Sequence, residues 1–306
     1  PVPTTQASSS AGYLRYLPLI HTQWRFDAQN LMVVYRQGPA FDTCSLPTLE
    51  TMQAWWLNSP YRIYNLYLGG PAFPTDIKTC NYTGLTRAWL NSADQQGWTF
   101  ILTWAGLQAP CRGGSISTDP ATAYQQGAQQ ADLAVNRARS LGFWNDLALY
   151  VDIEAYSNTT SCNQAVAGYV SGWVDEVHQW GGKAGVYGLP SNLSSYRTKV
   201  SSLPDNIWMA YWYADAYSPT ASVYDIPDTY LSDNLWSNHQ RILQYAGDHG
   251  ERYGGVTISG MDSDVVDGAV QAYGPHGLLA SASASGTDFQ SPGINLQGVQ
   301  MAAPDE

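Results

Sequence analysis

The stretch DLALYVDIEAY, Asp146 to Tyr156, decides how the rest of the chain is read. In an extended strand side chains alternate between two faces, so Ala148, Tyr150, Asp152 and Glu154 share one face and Leu147, Leu149, Val151 and Ile153 the other. A run that is apolar on both faces is the pattern of a strand buried in a parallel sheet. Two carboxylates then sit together at its C-terminal end. Like charges that close do not both ionise cheaply in a low-dielectric site, so one pKa is expected to rise, the condition for a general acid beside a carboxylate. The plainer alternative is a strand end whose solvated carboxylates cap neighbouring helices.

Similar units lie on either side. Ala40–Cys44 reads as a first strand, with Ser45 as candidate N-cap of a helix carrying Leu49, Met52, Trp55 and Trp56. Arg62–Leu68 is a second strand, followed by a helix over Leu85–Gln96. Trp98–Trp104 is a third, and its helix opens at Asp119-Pro120, an N-cap followed by a proline in the first turn. After the Asp152 strand comes a helix carrying Val166, Tyr169, Trp173 and Val177. Ala184–Gly188, Asn206–Trp212, Arg241–Tyr245 and Gly255–Met261 supply four more strands, with later connections that read as short or irregular. Eight strands alternating with helical patterns predict an α/β fold, a (β/α)8 TIM-like barrel over residues 38–268. Residues 1–37 read as an N-terminal extension, with a loose hairpin pattern over Tyr13–Tyr35, and residues 269–306 as an Ala/Ser/Gly-rich tail or linker.

Composition narrows the function. Only 13% of the 306 residues are charged, and the net charge is -11. That acidity argues against nucleic acid and anionic membrane surfaces as partners, and no apolar run is long enough for membrane insertion. Four cysteines without zinc-site spacing favour disulfides and a secreted, extracellular protein. Three pairings are possible. All four cysteines fall just after strands one to four, so if neighbouring loops are joined the pairs are Cys44 with Cys80 and Cys111 with Cys162.

In a barrel the chemistry belongs at the C-terminal strand ends. Asp42 falls at the end of strand one, Asp152 and Glu154 at strand four, and Asp262 at strand eight, with Asp264 two residues on. Trp104, Tyr187, Tyr211, Trp212 and Tyr245 cluster at the same ends, where flat rings can stack on sugars; ordinary core packing is the competing account for about half of them. The five histidines are scattered without metal-ligand spacing, and no nucleophile elbow, P-loop or dinucleotide fingerprint is present, so neither a metal nor a cofactor is expected. Hydrolysis by carboxylates remains.

The motifs YVDIE at strand four, GVYG at five, WMAYW at six, Gln244-Tyr245 at seven and GMDSDV at eight resemble, in kind and order, the family 25 glycoside hydrolases, the lysozyme-like muramidases. With FDTC at strand one and YLGGP at strand two, the chain is closer still to the glycoside-hydrolase-like proteins of domain of unknown function 1906. The resemblance implies Glu154 as general acid and Asp152 as the partner that orients an acetamido group or stabilises developing positive charge. It also implies that Asp42, Asp262 and Gln244 line the sugar subsite. Thr43-Cys44 and Thr103-Trp104 depart from the lysozyme pattern, which leaves the sugar open. The expectation is an exported glycoside hydrolase acting on a polysaccharide or peptidoglycan-type glycan by carboxylate acid catalysis. The alternative is a non-catalytic glycan-binding protein on the same scaffold.

Overall fold

The computed structural model describes residues 33–73, 80–143, 146–274 and 276; the N-terminal hairpin pattern, apart from its last residues, and the Ala/Ser/Gly-rich tail, apart from its first residues, lie outside them. The elements in chain order are β1 (Val33–Thr43), α1 (Leu49–Asn58), β2 (Ile63–Gly69), α2 (Arg87–Gln96), β3 (Thr99–Ala105), a 3-10 turn (Pro110–Arg112), α3 (Pro120–Ser140), β4 (Ala148–Asp152), α4 (Thr160–Gln179), β5 (Lys183–Gly188), α5 (Pro190–Lys199), β6 (Asn206–Ala210), β7 (Arg241–Tyr253) and β8 (Val256–Gln271). The eight strands close in chain order into a TIM-like barrel. Because β1 starts at Val33 and β8 runs to Gln271, the barrel extends past both limits read from the sequence, 38 and 268.

Helix starts follow local chemistry. Asp119 caps α3 by accepting from Thr122 N, with Pro120 behind it, and Thr159 caps α4 by accepting from Cys162 N. The cap of α1 is Thr48, which accepts from Thr51 N, and not the expected Ser45. Ser45 instead accepts from Asn81 N and ties the loop after β1 to the loop after β2. Two apolar layers result. Ile63, Ile101, Tyr150, Trp208, Ile242 and Val266 fill the barrel interior, while Leu147, Leu149, Val151 and Ile153 pack outward under the helices, as alternation along strand four requires.

One strand departs from the parallel pattern. β1 through β7 pair in parallel, but β8 is antiparallel to both β7 and β1. Only Gly254 and Gly255 separate β7 from β8, at φ +56° and +82°. Two left-handed glycines make a tight hairpin, and a parallel crossover needs a dozen or more residues. The expected strand Gly255–Met261 is therefore the outer half of a long hairpin arm that projects beyond the barrel rim. Asp262 does not end this strand. It reaches the C-terminal face because β8 enters the barrel there, directly opposite Asp42 of β1. The β6–β7 connection contains no helix.

Cys44 joins Cys80, linking the loops after β1 and β2, and Cys111 joins Cys162, linking the loop after β3 to the first turn of α4, both at the C-terminal face. At sequence separations of 36 and 51, chain-entropy arguments put each bond at about 4 kcal/mol. Replacing Cys111 and Cys162 by serine together should lower the urea midpoint by a corresponding amount; a variant as stable as the parent would contradict this.

Candidate active site

The C-terminal face gathers two polar groups. The first is built on Gln244 of β7. Its Nε2 donates to Asp42 Oδ2 at 2.9 Å and to Asp262 Oδ2 at 3.1 Å, and its Oε1 accepts from Tyr187 OH at 3.0 Å and Trp212 Nε1 at 2.9 Å. All four hydrogen-bonding positions of the amide are used. Gln244 is 3% exposed, so its amide is not open to solvent as a sugar-lining group would be; it orders its four neighbours. Trp212 is 57% exposed, and its ring lies against Gly247, where a Cβ would overlap the indole. The result is a flat aromatic face open to solvent and fixed at both its ring and its nitrogen.

Asp42 is buried. Tyr67 OH points at its Oδ1 from 3.5 Å, and burial first, then the charge of Asp262, hold its carboxyl well above the ordinary range. Asp262 is half-buried and accepts the Asp248 amide at 2.6 Å. Burial raises its pKa, against the opposing pull of that amide.

The second group is the end of β4. Asp152 Oδ1 is shielded from water and has no hydrogen-bond partner among the described residues. Burial, then the neighbouring charge of Glu154, push its pKa up to about 8, with Arg112 opposing. Glu154, two residues on, is 45% exposed along its side chain, and Arg112 Nη1 stands 3.8 Å from its Oε2. Asp152 thus keeps one oxygen, Oδ1, turned away from water at a half-buried position, while the Glu154 side chain is the more open of the two. The loop after β3 holds both in place. Gln108 accepts from Glu154 N at 2.9 Å and donates to Asp152 O at 2.9 Å, and Arg112 donates to Ala155 O at 3.0 Å. Cys111, bonded to Cys162 at the start of α4, anchors this loop. The two groups share one electrostatic field, since the charge of Asp152 also raises Asp42.

Three aromatics expected in the cleft lie elsewhere. Trp104 is 8% exposed and donates to Gln130 of α3 at 2.8 Å, in the layer between sheet and helices. Its neighbour Thr103 takes the interior face and donates to Asn65 at 2.6 Å. Tyr245 is buried, and its hydroxyl accepts from Ser218 N at 3.2 Å beneath the β6–β7 connection. Tyr211 packs against Tyr213 and Tyr230 in that connection, with ring centroids 6.2 and 6.0 Å away. Tyr187 remains at the cleft, held by Gln244 and set edge-on to Trp208 at 5.0 Å. Sequence reasoning missed Tyr67, Gln108 and Arg112. Tyr67 carries a signal in hindsight, being on the same strand face as Ile63 and Asn65, whereas Gln108 and Arg112 sit in an aperiodic loop marked only by Cys111.

The chain is similar to several solved structures and matches a family model. Similar solved structures include an uncharacterized B. stearothermophilus protein, 18% identical over 74% of this chain and 95% of that one, at TM-score 0.50. They also include the Mycobacterium tuberculosis Tat-secreted protein Rv2525c in complex with L-tartrate, 15% identical over 75% and 95% at TM-score 0.48. A third is the Clostridium perfringens spore cortex lytic enzyme SleM, 15% identical over 75% and 67% at TM-score 0.48. Among curated proteins there is no match. The model of the Rv2525c-like, glycoside hydrolase-like domain matches residues 53–266, which takes in six of the strands whole and the carboxylates of β4 and β8, and the chain belongs to that family.

Proposed function

We propose that the protein is an exported glycoside hydrolase that cleaves a cell-wall or extracellular polysaccharide, with Glu154 as the acid that meets the glycosidic oxygen and Asp152 as its half-buried partner. The observation that carries this is the division of labour at the end of β4. One carboxyl is open to a ligand, and the other is half-buried, with one oxygen shielded from water and a pKa of about 8. At neutral pH Asp152 holds its proton. A neutral carboxyl donates a hydrogen bond to a substrate carbonyl, such as that of an acetamido group, and does not stabilise a cation; substrate orientation is therefore the role assigned to it. Trp212 supplies a stacking face beside the carboxylates, as sugar rings require. Two disulfides support an oxidising compartment.

The same division has a measurable consequence for stability. Between the ordinary aspartate pKa of about 4 and the folded value of about 8, the native state binds a proton that the unfolded chain has lost. Stability contributed by this group is full below about pH 4 and falls as pH rises through about 8. Hydrolysis should fall as pH rises through about 8. Asp152→Asn, which stays neutral, should flatten the stability profile between about pH 4 and 8 and the rate profile through about 8 while binding glycan. A wild-type rate unchanged through pH 9 would remove Asp152 from the mechanism.

A second reading is favoured by one feature. Glu154 faces solvent and Arg112 rather than an apolar wall, and a general acid works best where its charged form is disfavoured. A glycan-binding protein that keeps the cleft without turnover would bind oligosaccharides and release no reducing ends.

A further inference from the structure

Asp264 plays no part in the chemistry above. It is fully buried, and its Oδ1 accepts from Trp208 Nε1 at 2.8 Å. Its Oδ2 receives no N–H or O–H from the described residues, although it too is shielded from water. The group beside it is the Asp42 carboxyl: β1 and β8 pair Ala40 with Asp264 and Asp42 with Asp262, which makes Asp42 and Asp264 diagonal neighbours on one face, within side-chain hydrogen-bonding reach. Asp42 is in turn approached by Gln244 and Tyr67 on its other contacts. An acceptor therefore faces an acceptor in a dry site.

The walls offer no compensating charge. Tyr67 of β2, Asp152 of β4, Tyr187 of β5, Trp208 of β6, Gln244 and Tyr245 of β7, and Asp262 of β8 surround the two carboxyls. Tyr64 and Tyr82 stand behind Asp42. None of these is a cation, and no Lys, Arg or His among the described residues forms a salt bridge with either aspartate. Two anions held in contact there would repel with little screening.

We infer that Asp42 and Asp264 share one proton, with Asp264 as the neutral acid whose Oδ2–H donates to Asp42. The proton turns the acceptor-to-acceptor contact into a hydrogen bond and leaves a single negative charge on the pair. Burial lifts both carboxyls well above the ordinary range, as in a pair that titrates as one unit. Asp264 is then a positioning residue. It fixes the rotamer of Asp42 from below while Gln244 fixes it from the side, so that Asp42 presents one anionic carboxylate to the cleft. This rests on the cleft of the proposed function only for its setting, and its test needs no substrate, so the two ideas fail separately.

Asparagine reproduces the neutral acid: its carbonyl accepts from Trp208 and its amide donates to Asp42. Infrared spectra of the folded protein near neutral pH should show the carbonyl stretch of protonated carboxyls, resolved from the carboxylate bands. Asp264→Asn should remove the portion due to the shared proton and keep the wild-type melting temperature, whereas Asp264→Ala should melt lower. Asp42→Asn should remove the same portion, because Asp264 can then ionise against the introduced amide. Asp152→Asn removes a separate portion, since that carboxyl is also protonated at neutral pH. Unchanged protonated-carboxyl intensity in both Asp264→Asn and Asp42→Asn would overturn the inference. So would failure of Asp264→Asn to fold, since an isostere of the neutral acid should be accepted.

Discussion

Glu154→Gln is expected to lower kcat on any glycan the protein hydrolyses by about 10²- to 10⁴-fold, the usual worth of a general acid. Glutamine keeps the shape of the side chain and cannot deliver a proton. The fold should not register the change. Gln108 bonds the Glu154 backbone N–H rather than its carboxylate, and the Arg112 contact at 3.8 Å is between half-exposed groups, where ion pairs contribute little. Initial rates alongside a thermal melt read both effects. A fully active Glu154→Gln protein would move the acid to another carboxylate, with Asp262 the next candidate at the same face.

Gln244→Leu should have the largest effect on folding of any single change at the site. Leucine fills similar space but removes one donor from each of Asp42 and Asp262 and one acceptor from each of Tyr187 and Trp212. Leaving buried charged groups unpaired costs several kcal/mol, here about 3 to 5. Urea unfolding near neutral pH should show a loss of this size, and the freed indole should weaken glycan binding as well. A loss below about 1 kcal/mol would mean that the amide is a bystander and that the carboxylates are neutralised by another route.

The barrel was legible because its strands are buried on both faces and separated by helices with clear caps. The end of β4 was legible in part for a related reason: an alternating strand states which residues share a face, so Asp152 follows from Tyr150, whereas Glu154 lies two residues past the strand. Alternation does not state which face is inward when both are apolar. In Trp98–Trp104 it leaves Thr103 and Trp104 on opposite sides, and the interior takes the small hydroxyl while the large ring packs under α3. Gln244 and Tyr245 divide in the same way. Strand spacing also conceals direction. Gly254-Gly255 is a hairpin signal, yet a chain of βα units favours one more parallel strand, and only the register of β8 against β1 reveals the reversal. Asp262 was expected at the right face by an incorrect route. Arg112 and Gln108 were invisible because their loop carries no period, and its position comes from a disulfide to α4.

The central claim is that the β4 carboxylates and the Trp212 face form a working hydrolytic cleft. The direct measurement is the release of new reducing ends when purified protein is incubated with peptidoglycan, arabinan, galactan and glucan fragments, with binding to the same fragments followed in parallel. The account predicts that at least one of them is cleaved and that cleavage declines as pH rises through about 8, where Asp152 loses its proton. Fragments that bind but yield no reducing ends at any pH would contradict it, and would identify the protein as a glycan-binding member of its family.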